Sequence, residues 1–228
     1  MKVKTVALNK AYSFLADSDA YVTVCLQNQF AEGDCSGGGK VISGKRPALV
    51  VCPGGAYSRV SSREGEPAAL AFAPLGFNLF VLQYSVVPKR YPMQLLELTA
   101  TLDYISRNAD ELNVDAAHIT LMGFSAGGHL VSSYCTMRDR KEIRDVIQPV
   151  DVFAAILGYP VITAERYSHL NSFRNLLGVE DITEEIIRAY STSRFVRKGL
   201  TPQTFIWHCE GDRNVDAVSY THLTLPTT

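Results

Sequence analysis

At 228 residues the chain has the length of one α/β domain and leaves little room for two. A 46% hydrophobic and 20% charged composition supplies a packed core and excludes wholesale disorder. Lys and Arg total 22 against 23 Asp and Glu, a formal charge of −1, so there is no electrostatic case for nucleic acid or an anionic membrane as partner.

The first residues, Met1-Lys2-Val3-Lys4-Thr5-Val6, alternate as a strand does and lack the apolar core of a secretory signal. No stretch approaches the roughly 18 apolar residues of a membrane span. A cytoplasmic location is the expectation. Cys25, Cys35, Cys52, Cys135 and Cys209 are odd in number and none pair as C-x-x-C, which argues against a zinc site or a disulfide framework.

Residues 21–26 read as a strand, and 31–45, rich in Gly, Ser and Asp, as a loop. The apolar run 48–52 has the composition of a strand covered on both faces, stopped by Pro53-Gly54-Gly55. A helix is expected over 66–75, ending at Gly76, then a buried strand over 77–84. Pro92 opens a longer helix through about Asn113, with Leu95, Leu98, Leu102 and Ile105 forming one buried stripe. Further strands are expected at 119–122, 152–157 and 204–208, and a helix at 126–137. The polar segment 164–197 reads as an insert of two or three short helices. Strands alternating with helices imply a mainly parallel sheet with helices on both faces. On such sheets ligands bind beyond the carboxyl ends of the strands, so the loops there deserve the search for chemistry.

One such loop is Gly123-Phe124-Ser125-Ala126-Gly127-Gly128, between the strand at 119–122 and the next helix. G-x-S-x-G gains meaning in that strand–turn–helix setting, because the sharp turn lifts the serine hydroxyl clear of the sheet. It also leaves the Ala126 N–H at a helix start, facing a developing oxyanion. A second loop, Pro53-Gly54-Gly55-Ala56-Tyr57, carries paired glycines whose N–H groups can approach a ligand closely. A third candidate is Asp212, in Trp207-His208-Cys209-Glu210-Gly211-Asp212, which follows Ser125 by 87 residues (212 − 125). That order suits a Ser…Asp…His triad, with Glu210 a weaker candidate for the acid.

These segments together resemble the α/β-hydrolase superfamily. Within it the chain is similar to the small bacterial acetyl esterase and acetylxylan esterase-like group, related to the hormone-sensitive-lipase and feruloyl esterase families. The matches are Gly123 to Leu130, Gly76-Phe77-Asn78 leading to Tyr84-Ser85, and Phe205-Ile206-Trp207-His208. The resemblance implies Ser125 as nucleophile, Asp212 as acid, and the N–H groups of Gly54, Gly55 and Ala126 as oxyanion donors. It implies a small-molecule ester, an acetylated carbohydrate or xylan fragment, as substrate, and no cofactor or metal. Pro53 stands where many relatives carry His, and Ala56 where many carry a third Gly.

The triad also needs an imidazole. His129 lies inside the helix after Ser125, His118 at the wrong end of its strand, His169 in the insert, and His208 where the family has a structural histidine. His222 follows Asp212 by ten residues (222 − 212), without room for the helix and strand that precede the family's base. Residues 218–228, with four Thr and a Pro, read as translated adaptor sequence, leaving 1–217 as the hydrolase domain. The expectation is a frame that ends natively near Asp216, a chain truncated before its catalytic histidine, and an exposed sheet edge. Two other readings are an amide-cleaving relative, such as a peptidase or arylformamidase, and a non-catalytic binding protein of the same fold. Oligomeric state is not legible.

Three further features carry weaker readings. Gly39 to Lys45 nearly writes a phosphate loop, but Arg46 replaces the Ser/Thr and the segment precedes a strand. The run Arg138-Asp139-Arg140-Lys141-Glu142 reads as a solvated helix end. Tyr57, Arg63 and Tyr84 are candidates either for pocket lining or for packing.

Overall fold

The structure, a computed structural model, describes residues 1–28, 44–164, 169–212 and 215. In chain order its elements are β1 (Lys2–Ala7), α1 (Leu8–Ala11), β2 (Tyr21–Leu26), β3 (Arg46–Cys52), α2 (Glu66–Leu70), β4 (Asn78–Gln83), α3 (Met93–Arg107) and β5 (Val114–Phe124). There follow α4 (Ser125–Met137), α5 (Lys141–Arg144), β6 (Ala154–Gly158), α6 (Leu170–Leu177), α7 (Glu184–Tyr190) and β7 (Gln203–Trp207). The strands form one sheet in the order β1-β2-β4-β3-β5-β6-β7. β1, β2 and β4 pair antiparallel, and everything from β4 onward is parallel. The mainly parallel sheet is what the βα alternation implied, and its architecture is the α/β-hydrolase fold that the resemblance implied.

The continuous apolar runs are explained by the two faces they serve. Ala48, Val50 and Cys52 of β3 join Phe80, Leu82, Leu121 and the buried stripes of α3 and α4 in one core. Leu49 and Val51 join Leu79, Val81, Met122 and Ala69 of α2 in another on the opposite face. Each such side chain withdrawn from water contributes about 1.5–3 kcal/mol, which is why neither face tolerates alternation with polar residues. On α3, Leu95, Leu98, Leu102 and Ile105 are all buried, as their spacing required.

The helix expected over 66–75 is broken: α2 stops at Leu70 and a short 3-10 turn spans Ala73–Leu75. Pro74 has no N–H to continue the ladder and its ring would crowd the carbonyl four residues back. Gly76 closes the segment with φ 92°, a left-handed cap. α3 ends at Arg107, six residues short of Asn113, and β5 begins at Val114, ahead of the expected Ile119. Its first half, Asp115-Ala116-Ala117-His118, has no β-branched side chain to betray a strand.

The charged run after α4 is solvated only in part: Lys141 and Glu142 are exposed, but the arginines are engaged. Arg138 is buried, donating to the Leu200 carbonyl at 2.9 Å and to Asp151 at 2.8 Å. The Arg140 guanidinium lies over the rings of Tyr190 and Phe195, and Arg197 pairs with Asp139 at 2.7 Å. These arginines fasten the helical insert to the body, since a guanidinium satisfies carbonyls and aromatic faces together. Sequence charge alone could not separate a fastened arginine from a hydrated one.

β7 ends the described sheet, with Phe205 64% exposed. Among the described residues no helix is long and apolar enough to cross a membrane. The phosphate-loop decoy up to Ser43, His222 and the rest of 216–228 lie outside the described residues.

Candidate active site

Ser125 occupies the turn between β5 and α4 with φ 50°, a left-handed conformation for a residue that bears a Cβ. Strain of that kind costs about 1–3 kcal/mol and persists only where the surroundings impose it. Here close packing imposes it. A Cβ on Gly123 would fall 2.4 Å from the Gly127 carbonyl oxygen, and one on Gly127 would fall 2.1 Å from that of Cys52. The small residues flanking the serine therefore let the first turn of α4 press against the end of β3.

The same packing brings the two glycine-bearing loops together. A Cβ on Gly54 would lie 3.0 Å from Ser125 Cβ and 2.9 Å from the Phe124 carbonyl oxygen. Gly55 takes φ 133°, and Ala56 and Tyr57 follow at 55° and 57°, so the chain leaves β3 in a tight left-handed bend. Turn bonds hold it: Ser58 N donates to Gly55 O at 3.0 Å and Ser61 N to Gly54 O at 2.9 Å. Ala56 thus sustains a positive φ without being glycine.

The backbone donors differ in what they face. Gly54 N–H, expected to point at an oxyanion, instead donates to Glu64 Oε2 at 2.7 Å. Among the described residues the Gly55 and Ala126 N–H groups have no acceptor. Glu64 Oε1 in turn accepts from Tyr159 OH at 2.8 Å, which together with burial pushes the phenol's pKa up. One carboxylate thereby joins the loop after β3 to the residue after β6. Nothing periodic in Arg63-Glu64-Gly65 signals that role.

Ser125 opens into a cavity of about 700 Å³ lined also by Gly55, Arg59, Arg63, Glu64, Tyr159, His169, Trp207 and Asp212. The cavity therefore unites Ser125 with Asp212 from the other end of the sequence. Asp212 Oδ1 accepts the Val215 N–H at 3.2 Å. His208 Nε2 lies 3.8 Å from Asp212 Oδ2, while its two ring nitrogens sit 2.7 Å from the Cys209 and Val215 carbonyl oxygens. It pins the turn that carries Asp212. Glu210 is exposed and does not line the cavity.

Of the other histidines among the described residues, only His169 reaches the cavity. His129 is buried between Tyr57 OH at 2.8 Å and the Tyr190 carbonyl at 3.2 Å. Burial holds its pKa down to about 4, so the ring is neutral, accepting from Tyr57 and donating to Tyr190. His118 pairs with Asp115 at 2.7 Å, on the half of β5 remote from Ser125. His169 lines the cavity and has Nδ1 3.0 Å from Ser172 Oγ. Of the three tentative pocket residues, only Arg63 reaches the cavity. Tyr57 and Tyr84 are buried, the latter donating to the Pro53 carbonyl at 2.7 Å.

The BD-FAE family profile matches residues 39–224. The chain belongs to the BD-FAE family. It is 37% identical over 179 residues to endo-1,4-β-xylanase B of Butyrivibrio fibrisolvens, and 34% identical over 175 residues to the acetylxylan esterase of Xylanibacter ruminicola. Those matches take in 74% and 75% of this chain but only 27% and 35% of the two relatives, so it spans about a quarter to a third of their length. Among solved structures, a carboxylesterase of Lactobacillus plantarum superposes with a TM-score of 0.76 at 27% identity, over 98% of this chain and 78% of its own. An acetyl ester-xyloside bifunctional hydrolase of Caldicellulosiruptor lactoaceticus gives 0.73 at 27% identity, over 88% and 70%. Esterases thus stand among the relatives and the solved structures that this BD-FAE member resembles.

Proposed function

We propose that the chain carries the hydrolytic site of a serine carboxylesterase that removes acetyl or similar short acyl groups from sugar or xylan esters. The observation that carries the reading is the strained turn at Ser125, packed against Gly54, inside a cavity that also holds Asp212.

In the proposed reaction Ser125 Oγ attacks the ester carbonyl carbon while an imidazole takes its proton. The carbonyl oxygen becomes an oxyanion, met by the N–H groups of Gly55 and Ala126. Each such donor lowers the barrier by about 3–4 kcal/mol. Gly54 contributes by close approach, its own N–H being held by Glu64. The C–O bond to the alcohol breaks, the imidazolium protonates the leaving oxygen, and water then releases the acid from the acyl-serine by the same steps reversed. Asp212 orients and stabilises the imidazolium. In the Ser…Asp…His order of such triads the base follows the acid in the chain. His129 and His208 have both ring nitrogens engaged away from Ser125, His118 pairs with Asp115 on the remote half of β5, and His169 lines the cavity with its Nδ1 at Ser172 Oγ.

Incubation with p-nitrophenyl acetate tests the reading. A stoichiometric nitrophenolate burst that Ser125→Ala abolishes is the expected result. A burst indifferent to that substitution, or none at all alongside saturable sugar binding, overturns it in favour of another nucleophile or a binding module.

A further inference from the structure

The cavity is charged in an uneven way. Of its two lining carboxylates, Glu64 accepts from Gly54 N–H and Tyr159 OH, and Asp212 accepts from the Val215 N–H. Of its two lining guanidiniums, Arg59 and Arg63, neither has an acceptor or an ion-pair partner among the described residues. A charged donor that faces a concave site without a protein partner is available to a ligand, and guanidinium geometry matches a carboxylate.

The two arginines are also well placed. Both belong to the loop after β3, whose turn is closed by Arg59 N donating to Gly55 O at 3.2 Å and Glu64 N to Ser61 O at 3.2 Å. The Arg59 stem lies on Gly55: its Cγ would be 3.1 Å from a Cβ there. Another part of the lining is aromatic, with Trp207 38% exposed and Tyr159 edge-on to it at 5.2 Å. Apolar ring faces of this kind suit the C–H face of a pyranose.

We propose that Arg59 and Arg63 form a carboxylate subsite that selects esters whose alcohol portion carries a uronic acid. This rests on the ester-cleaving reading of Ser125 and adds a substrate feature to it. The acyl group of the proposed substrate is short and neutral, so a carboxylate met by these arginines belongs to the alcohol portion. Substrates with a neutral short acyl group and an acidic sugar nearby satisfy both constraints.

Calorimetric titration of the chain separates this subsite from the catalytic assignment, because it needs no turnover. The probes are an unacetylated xylo-oligosaccharide bearing one uronic acid and the unsubstituted oligosaccharide of equal backbone length. The acidic probe should bind about tenfold more tightly, the scale of one charge-assisted bidentate contact. The preference should shrink as salt is raised. Arg59→Gln with Arg63→Gln should bring the two affinities within about twofold, with an unchanged thermal melt because both side chains are exposed. Equal affinities in the parent, a preference that survives the double substitution, or binding of neither probe would overturn the subsite. Preferential hydrolysis of p-nitrophenyl hemisuccinate over the acetate would overturn its assignment to the alcohol side. Failure of the nitrophenolate burst is a separate result that bears on Ser125 alone.

Discussion

Gly54 and Glu64 are joined by a 2.7 Å bond from backbone N–H to carboxylate, and the opposite carboxylate oxygen holds Tyr159 at 2.8 Å. The glycine loop beside Ser125 is thus fixed by a side chain ten residues on, while the Gly55 and Ala126 N–H groups have no acceptor among the described residues. This geometry predicts coupling. Glu64→Ala should cost about 1–3 kcal/mol of stability, the scale of hydrogen bonds to a half-buried charge. In a double-mutant cycle, Glu64→Gln and Tyr159→Phe should show an interaction of about 1 kcal/mol. Urea denaturation of the four proteins measures it, and additive losses would mean that the two contacts act independently.

The contact between α4 and β3 predicts an inverted helix preference. Alanine ordinarily stabilises a helical position over glycine by about 1 kcal/mol. At Gly127 the new methyl would sit 2.1 Å from the Cys52 carbonyl oxygen. Gly127→Ala should therefore destabilise the fold by about 3 kcal/mol or more, or prevent its formation. Gly211→Ala, where nothing lies within 4 Å, should stay within about 0.5 kcal/mol of the parent.

His129 sets an acid limit. Its folded pKa of about 4 lies below the ordinary histidine value because burial penalises the imidazolium. A depressed pKa means that the unfolded chain takes the proton first. The ring's contribution is therefore complete above the unfolded value and is lost as pH falls from about 6.5 toward 4. By pH 5 the loss should reach on the order of 2 kcal/mol. Chemical denaturation across that range should show the slope, and His129→Gln should flatten it even if the variant begins less stable.

Thiol reactivity should divide sharply. Cys25, Cys52 and Cys135 are buried, and burial pushes their thiols up, Cys135 to about 12. Cys209 is exposed and lines the cavity. With an aromatic disulfide reagent on the native protein, Cys209→Ser should remove one fast-reacting equivalent. Loss of none would show that the cavity wall near Cys209 is closed to the reagent.

The centre of the sheet was legible because its strands are buried on both faces, as the apolar runs at Ala48–Cys52 and Ile119–Met122 show. The turn at Ser125 was legible because its glycines are demanded by contacts of 2.1–2.4 Å, a constraint local enough to leave a pattern. Glu64 and Arg138 were not legible. Each acts through partners far away in sequence, Tyr159 for one and Asp151 and Leu200 for the other, and a lone charged residue looks the same whether hydrated or engaged. The break in the helix after Leu70 was signalled by Pro74, which the apolar pattern around it masked.

The arginine fastenings of the insert bear on how the molecule breathes. Arg138 reaches the Leu200 carbonyl from α4, and α4 is the helix that Ser125 begins. With Arg140 also stacked on Tyr190 of α7, amide protons of α7 should exchange with solvent in step with those of α4, not ahead of them. Entry to the cavity is then governed by side chains at its mouth, while the frame behind them stays shut.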